Sequence, residues 1–274
     1  ANGKQYQSDF EVVKDNPPID SISWIREKDG VRIYVNTHGS NPDSVGYYQW
    51  EYNQTWEFHT AYLSVVKYDT SFAPGTPLLI AVYRDSSSRM YNICWQYEKS
   101  GNILTGSSAK LSKDIISLPL AFIEQPSWKL SVLFSIDVKQ YSITKGRYEF
   151  LERLKKNSEQ VGSIFDAQPS ELSSNLRCIS DSKEMVVGYF NICPLRETRI
   201  FIKNSELPGW GYHEDCFFIE IDNIPDSIYK YGVGLIPTYA TGGGFFGISK
   251  FEAAPPNCVD CEIRGTHIKP DFWP

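Results

Sequence analysis

The chain has 274 residues, of which 41% are hydrophobic and 22% are charged. This length suits one large or two modest domains at roughly 150 residues each, and the composition excludes a wholly disordered protein. No run approaches the roughly 18 apolar residues that a membrane-spanning helix needs. The net charge of −6 argues against nucleic acid as a partner, because no excess of positive charge is available to displace counterions. Aromatic residues make up 14%, which is typical of a β-rich extracytoplasmic protein.

The first elements predicted along the chain form a hairpin. Apolar and polar residues alternate over 21–25 and again over 31–35, with the turn signal Lys28-Asp-Gly30 between them. A double proline at 17–18 precedes the hairpin and stiffens the chain there, because both residues have a fixed φ.

A long third strand is predicted over 47–58, with Tyr48, Trp50 and Tyr52 on one face. We interpret these aromatic side chains as core. Together with the double proline and the hairpin, this strand favours an immunoglobulin-like or fibronectin type III-like β-sandwich.

Further strands are predicted over 91–97, 129–141, 185–190 and 198–202. After the strand over 129–141, the spacing between apolar residues changes from two residues to three or four, which is the helical period. Thr144 suits the N-cap of a helix over 145–157, and the spacing of its apolar residues places them near one face.

These elements predict three parts. Residues 1–15 are expected to be a linker, since the chain opens without a signal peptide, like part of a longer secreted protein. Residues 16–203 are expected to form the sandwich, with a helical insertion at 143–176. Residues 204–274, rich in glycine and aromatics, are expected to form an irregular extension that packs on the sandwich and is pinned by disulfides.

Six cysteines favour disulfides in an oxidising compartment, although their pairing does not follow from sequence. Cys258 and Cys261 are expected to have different partners, because a bridge between them would close a strained ring. The full set is Cys94, Cys178, Cys193, Cys216, Cys258 and Cys261.

A zinc site is the alternative for part of this set. Its ligands would be His213, Cys216, Cys258 and Cys261. We favour disulfides, because the Cys-x-x-Cys spacing is generic and the two pairs lie far apart in the chain.

Several short stretches in order along the chain carry a family resemblance. They are PPIDS at 17–21, DGVRIYV at 29–35, YYQWEYNQTWEF at 47–58, YNICW at 91–95, VKQY at 138–141, LKKN at 154–157, GSIFD at 162–166, QP at 168–169, GYF at 188–190, RIFI at 199–202, CVDC at 258–261 and KPDFW at 269–273. Together they resemble the DUF4249 family of Bacteroidota outer-membrane lipoproteins.

The resemblance implies a surface-exposed protein of the outer membrane, attached only through an upstream lipid anchor. It also implies a missing upstream β domain, to which residues 1–15 would be the linker. It also implies a TonB-dependent transporter as partner, encoded beside the protein, and a role in capturing a nutrient such as a glycan, peptide or other small molecule. The family has no assigned biochemical function, so the resemblance supplies no catalytic or ligand-binding residues.

The residues themselves give little sign of catalysis. Glu51 and Glu57 share a face of the third strand but lie roughly 20 Å apart, too far for a glycosidase pair. No Gly-x-Ser-x-Gly motif is present, and the four histidines are scattered. Four aspartates, at 222, 226, 260 and 271, suggest a calcium site only weakly, since they form no Asp-x-Asp run. No cofactor is expected.

The aromatic residues of the last third are the predicted binding site. They would offer stacking faces for a sugar or apolar anchors for a partner protein, or else simply cover the sandwich. They are Trp210, Tyr212, Tyr229, Tyr231, Tyr239, Phe245 and Phe246.

The sequence therefore predicts a non-enzymatic, surface-exposed outer-membrane lipoprotein domain that assists a TonB-dependent transporter in nutrient uptake. The alternatives are a secreted hydrolase of glycan or peptide, and a structural module that assembles surface complexes through strand edges.

Overall fold

The computed structural model describes residues 3–39, 45–70, 79–111, 115–159, 174–244 and 247–274. Within these ranges the chain is mainly β, as predicted. Its strands are β1 (Tyr6–Ser8), β2 (Ile19–Glu27), β3 (Gly30–His38), β4 (Tyr47–His59), β5 (Val66–Asp69), β6 (Ile80–Tyr83), β7 (Ile93–Lys99), β8 (Leu104–Ser107), β9 (Ile115–Glu124), β10 (Leu133–Ser142), β11 (Leu176–Cys178), β12 (Leu195–Lys203), β13 (Ile219–Asp222), β14 (Ile236–Gly244) and β15 (Gly247–Ala254). The α-helices are α1 (Lys145–Glu159) and the single turn α2 (Pro225–Ser227).

The strands of the described residues pair into five sheets. The largest has the order β12-β10-β4-β7, and β8 also pairs with β4. Two three-stranded sheets have the orders β2-β3-β9 and β13-β15-β14, and β1-β11 and β5-β6 form two-stranded sheets. The immunoglobulin-like or fibronectin-like arrangement stays a prediction.

The predicted hairpin is confirmed. Strands β2 and β3 pair antiparallel, with Glu27 opposite Gly30 at the turn. Gly30 is required there, because a side chain at this position would collide with the carbonyl oxygen of Ile123 on β9.

The chain divides into two compact units. Unit 1 contains residues 1–54, 99–124 and 136–200, and unit 2 contains residues 55–98, 125–135 and 201–274. The last segment of unit 2 begins near the predicted boundary at 203, but this unit also takes two stretches that the sequence assigned to the sandwich. That the three predicted parts are separate domains stays a prediction.

The core of unit 1 follows from strict alternation. On β4, Tyr48, Trp50 and Tyr52 are buried, while the residues between them are partly exposed. The core contains a polar centre, in which the Gln140 carboxamide on β10 accepts from the Trp50 indole at 2.9 Å and donates to the Thr37 hydroxyl on β3 at 3.2 Å. The inner faces of the β2-β3-β9 sheet and of the sheet that contains β4 and β10 therefore meet in unit 1.

Helix α1 begins where the sequence predicts. The Thr144 hydroxyl accepts a hydrogen bond from the Arg147 backbone N–H at 3.3 Å, as an N-cap does. The rest of the predicted insertion, residues 160–173, lies outside the described residues.

The C-terminal part of unit 2 is more regular than predicted. Instead of an irregular extension, β13, β14 and β15 form an antiparallel sheet over a core that includes Ile221, Ile228 and Phe251. The register of β14 shifts at three places, and these shifts hid its period-two pattern in the sequence.

Two shorter predictions also differ from the structure. Part of the predicted linker, residues 6–8, forms β1 and pairs with β11. The strand predicted over 185–190 is wrong, because its backbone bonds a side chain instead of a neighbouring strand. Both the N–H and the carbonyl of Phe190 bond the Asn175 carboxamide at 2.8 Å.

Four of the six cysteines form two disulfides, and both disulfides lie in unit 2. Cys94 bonds Cys261, and Cys216 bonds Cys258, so the neighbouring cysteines do have different partners, as expected. The expectation that all six are bridged is wrong, since Cys178 and Cys193 are free thiols. All three cysteines of the zinc alternative are oxidised in these disulfides, whereas zinc is bound by thiolates.

Candidate functional site

A small polar pocket of about 220 Å³ lies in unit 1. Three separate parts of unit 1 line it: the outer face of β4 and β10, the first turn of α1, and the extended segment before β12. The lining residues are Gln49, Glu51, Tyr141, Arg147, Tyr189, Asn191 and Cys193. We call this the unit 1 pocket.

Alternation along two strands supplies the floor. Because Trp50 points into the core, its neighbours Gln49 and Glu51 point to the opposite face of β4. In the same way, burial of Gln140 places Tyr141 on the outer face of β10. The pocket floor is thus the reverse side of the aromatic core.

The extended segment supplies one wall. Tyr189, Asn191 and Cys193 are partly buried and line the pocket, while the residues between them are exposed. This is the period-two pattern of an extended chain, although no strand pairs with it within the described residues.

The wall is held in place by hydrogen bonds. The Asn191 amide donates to the Cys193 sulfur at 3.2 Å, and the Arg147 guanidinium donates to the Tyr189 carbonyl at 3.3 Å. The second bond joins the helix to the extended segment.

One cation and one carboxylate line the pocket. Burial lowers the pKa of Arg147 from its ordinary value, but a guanidinium stays charged at neutral pH. Glu51 forms an ion pair with Lys99 at 3.5 Å, and Lys99 is largely exposed. Exposed pairs of this kind contribute little energy, about 0–1 kcal/mol, so Glu51 can exchange this partner for a ligand.

The remaining titratable groups are neutral. Burial raises the pKa of the phenols of Tyr141 and Tyr189, and burial also raises the pKa of the Cys193 thiol. All three therefore keep their protons at neutral pH, so both tyrosines can donate as well as accept hydrogen bonds.

A buried acid lies on the same face of β10, two turns of the pleat from Tyr141. Asp137 is 3% exposed, and its carboxylate lies 3.3 Å from the Arg199 guanidinium. Burial and a hydrogen bond with Glu197 raise the pKa of Asp137 to about 6, against the opposing effect of Arg199 and Lys139. Near neutral pH the ionised form of Asp137 is therefore energetically unfavourable in the folded protein.

The raised pKa of Asp137 predicts a pH-dependent stability. The unfolded chain loses this proton near pH 4 and the folded chain near pH 6, so the free energy of unfolding falls as pH rises through that window. Asp137→Asn is expected to remove this fall. Urea unfolding at pH 4.5 and pH 7 tests it, with Asp226→Asn on α2 as the matched control. An equal pH dependence in wild type and Asp137→Asn would contradict the assignment.

Gly146 in α1 makes room for one wall residue. A methyl group there would overlap the Tyr189 hydroxyl, whereas the nearest ring carbon would lie 3.2 Å away. We expect Gly146→Ala to gain about 1 kcal/mol of stability from helix propensity only in a Tyr189→Phe background. With Tyr189 present the clash offsets that gain. Urea unfolding of both backgrounds measures the difference, and the same effect in each would show that the hydroxyl imposes no constraint.

A second pocket, of about 390 Å³, lies in unit 2, but two of its charged groups, Arg84 and Asp85, are engaged by the protein itself. Arg84 donates to the Ser64 hydroxyl and to the Ser88 carbonyl, both at 2.8 Å. Asp85 accepts from the Ser87 and Ser88 backbone and pairs with Lys67. These contacts within the protein leave the second pocket with fewer free groups for a ligand than the unit 1 pocket has.

The aromatic residues predicted as a binding site have different environments. Trp210 is 2% exposed and its indole donates to the Ser127 carbonyl at 2.8 Å, so it is a core residue and not a binding face. Tyr212 is partly buried beside Glu214. Tyr229 and Tyr231 are about half exposed, at 52% and 53%.

Of the remaining candidates, Tyr239 is 38% exposed on β14, and Phe245 and Phe246 lie outside the described residues. The described members of the predicted set therefore do not share one environment. In the part of the chain that the structure describes, no three His, Cys, Asp or Glu side chains form a metal site, and this includes the aspartates considered for calcium.

The fold and the unit 1 pocket define a mainly β protein with a small polar cavity in one of two units. Residues 1–199 match the family model described as Domain of unknown function (DUF4249), so the chain belongs to this family, as its motifs predicted. No curated protein and no solved structure matches the chain. The matched span contains all seven residues of the unit 1 pocket and none of the predicted aromatic set.

The described residues contain no helix both long and apolar enough to cross a membrane.

Proposed function

We propose that this chain is a non-enzymatic binding domain and that the unit 1 pocket captures a small polar nutrient. One observation carries the proposal: a concave site in which a guanidinium, a carboxylate, two phenols and two carboxamides converge. Polar groups placed around a cavity fix the orientation of a ligand and provide specificity.

The chemistry of the lining favours binding over catalysis. A cysteine nucleophile needs its thiolate, whereas burial raises the pKa of Cys193. None of the four histidines lines the pocket, so Cys193 has no imidazole base beside it there. Among the described lining residues Glu51 is the only carboxylate, whereas glycosidases use two.

The setting we propose comes from the family resemblance. In this account the chain is part of a lipid-anchored protein on the outer surface of the outer membrane, and it delivers its ligand to a TonB-dependent transporter. Capture by the pocket would raise the local concentration of nutrient beside the transporter.

Cys193 offers a test that reports on the pocket itself. The rate at which iodoacetamide alkylates Cys193 is measured by mass spectrometry, with the other free thiol, buried Cys178, as an internal reference. Separate pools of amino acids, sugars and organic acids are added at millimolar concentration. We expect one pool to slow alkylation of Cys193 and leave Cys178 unchanged.

The control for this assay is a matched pair of variants on α1. Arg147→Met removes a pocket cation, and Lys145→Met removes a cation that is not part of the lining. Protection should disappear in the first and persist in the second. Alkylation of Cys193 at one rate in every pool would overturn the proposal.

A further inference from the structure

The unit 1 pocket contains two opposite charges that are not paired with each other. From this we infer that its ligand is a small zwitterion of amino-acid size, with its carboxylate on Arg147 and its ammonium on Glu51. The inference rests on the proposed function and names the chemical class of the nutrient.

Arg147 is suited to a carboxylate. Among the described residues no carboxylate lies within ion-pair distance of its guanidinium, which has one hydrogen bond to the protein, to the Tyr189 carbonyl. A guanidinium presents five N–H donors in a planar fork that matches the two oxygens of a carboxylate. Its partial burial strengthens such a bond, because water competes less for the charge.

Glu51 is suited to an ammonium group. Its carboxylate lines the pocket, and its ion-pair partner within the described residues, Lys99, is mostly in solvent. Tyr141 and Gln49 line the same pocket as Glu51. The Tyr141 oxygen and the Gln49 carboxamide can accept the other two protons of a primary ammonium.

The two charges together select a dipolar ligand. A ligand with only a carboxylate would be attracted by Arg147 but repelled by Glu51, and a ligand with only an amine would meet the reverse. A phosphate is disfavoured, because Arg147 is the only cation among the lining residues.

The size of the cavity limits the rest of the ligand. A volume of about 220 Å³ is the space of roughly seven water molecules at ~30 Å³ each. This space holds an amino acid with a short side chain. It is below the ~300–1,000 Å³ of pockets that take drug-sized ligands, so only one end of a longer peptide or oligosaccharide fits inside.

Isothermal titration calorimetry on the whole chain tests the inference. The probes are glycine, L-serine and L-glutamine, each compared with its N-acetyl derivative and its C-terminal amide. We expect at least one free amino acid to bind and both of its derivatives to bind about 10- to 100-fold more weakly, as loss of one charged hydrogen-bonding partner implies.

Two pocket variants make the assignment of the charges specific. Arg147→Met should remove the preference for the free amino acid over its amide, and Glu51→Gln should remove the preference over its N-acetyl derivative. The matched controls are Lys145→Met and Glu149→Gln. In the wild-type chain Lys145 and Glu149 form an ion pair on the exposed side of α1, so both substitutions should leave affinity unchanged.

The outcomes separate this inference from the proposed function. If a sugar or organic-acid pool protects Cys193 and the amino acids do not bind, the zwitterion inference is overturned and the capture function stands. If no pool protects Cys193 and no probe binds, both are overturned. Binding of an amino acid with equal affinity for its derivatives would also overturn the inference.

Discussion

Replacing Cys94 and Cys261 together by alanine is expected to lower the free energy of unfolding by about 2–4 kcal/mol. The two residues lie 167 positions apart, so their disulfide closes a long loop, and both are fully buried in unit 2. Loss of the bridge frees the unfolded chain, which is the state that a disulfide mainly constrains. The bridge also ties β7 to the C-terminal turns, where Trp95 and Thr266 exchange backbone hydrogen bonds at 2.9 Å. Urea unfolding of the double variant measures the effect.

A free cysteine provides the control. Cys193→Ala removes a thiol without breaking a bridge and should change stability far less. Thiol titration in denaturant should find two free thiols without reductant and six after reduction. Six thiols without reductant, together with an unchanged transition in the double variant, would show that the bridges do not form.

Gln140→Leu is expected to destabilise unit 1 by about 3 kcal/mol or more. The Gln140 carboxamide is fully buried, accepts from the Trp50 indole, and donates to the Pro17 carbonyl at 3.0 Å and the Thr37 hydroxyl at 3.2 Å. Leucine keeps the volume but leaves these groups without partners. Each buried polar group that loses its hydrogen bond costs about 1–3 kcal/mol.

A double-variant cycle separates lost hydrogen bonding from lost packing. If the orphaned indole causes part of the loss, Gln140→Leu should cost less in a Trp50→Phe background than alone, because phenylalanine has no N–H to satisfy. Gln7→Leu, on the exposed strand β1, is the matched control and should be nearly neutral. Additive effects of the two core changes would contradict a shared hydrogen bond.

Much of the fold was predictable where local patterns are strong. The hairpin of β2 and β3 combines clear alternation with a glycine turn, and β4 alternates between buried and partly exposed residues from Tyr47 to Gln54. Helix α1 has both an N-cap and a helical period. In each case one short stretch of sequence contains the whole signal.

The errors occurred where the structure depends on distant partners. Residues 185–190 have strand-like composition, but Asn175 and Ser174 satisfy the carbonyls and amides that a neighbouring strand would use. The β14–β15 pairing includes register shifts and glycines, so neither its sequence pattern nor its hydrogen-bond ladder is regular. Period and propensity do not reveal such contacts.

The site was harder to predict than the fold. Alternation on β4 already placed Gln49 and Glu51 away from the core, and this was the available signal. Arg147 and the segment 189–193 come from other parts of the chain, and only the tertiary structure brings them to the same cavity. The aromatic prediction failed for Trp210 because exposure of a large side chain does not follow from composition.

The most direct test of amino-acid capture by the unit 1 pocket is a crystal structure of the chain with the amino acid that binds best in calorimetry. We expect electron density in the unit 1 pocket, with the ligand carboxylate within hydrogen-bond distance of the Arg147 guanidinium and its ammonium group beside Glu51. An empty pocket at saturating ligand, or a ligand bound elsewhere on the chain, would contradict it.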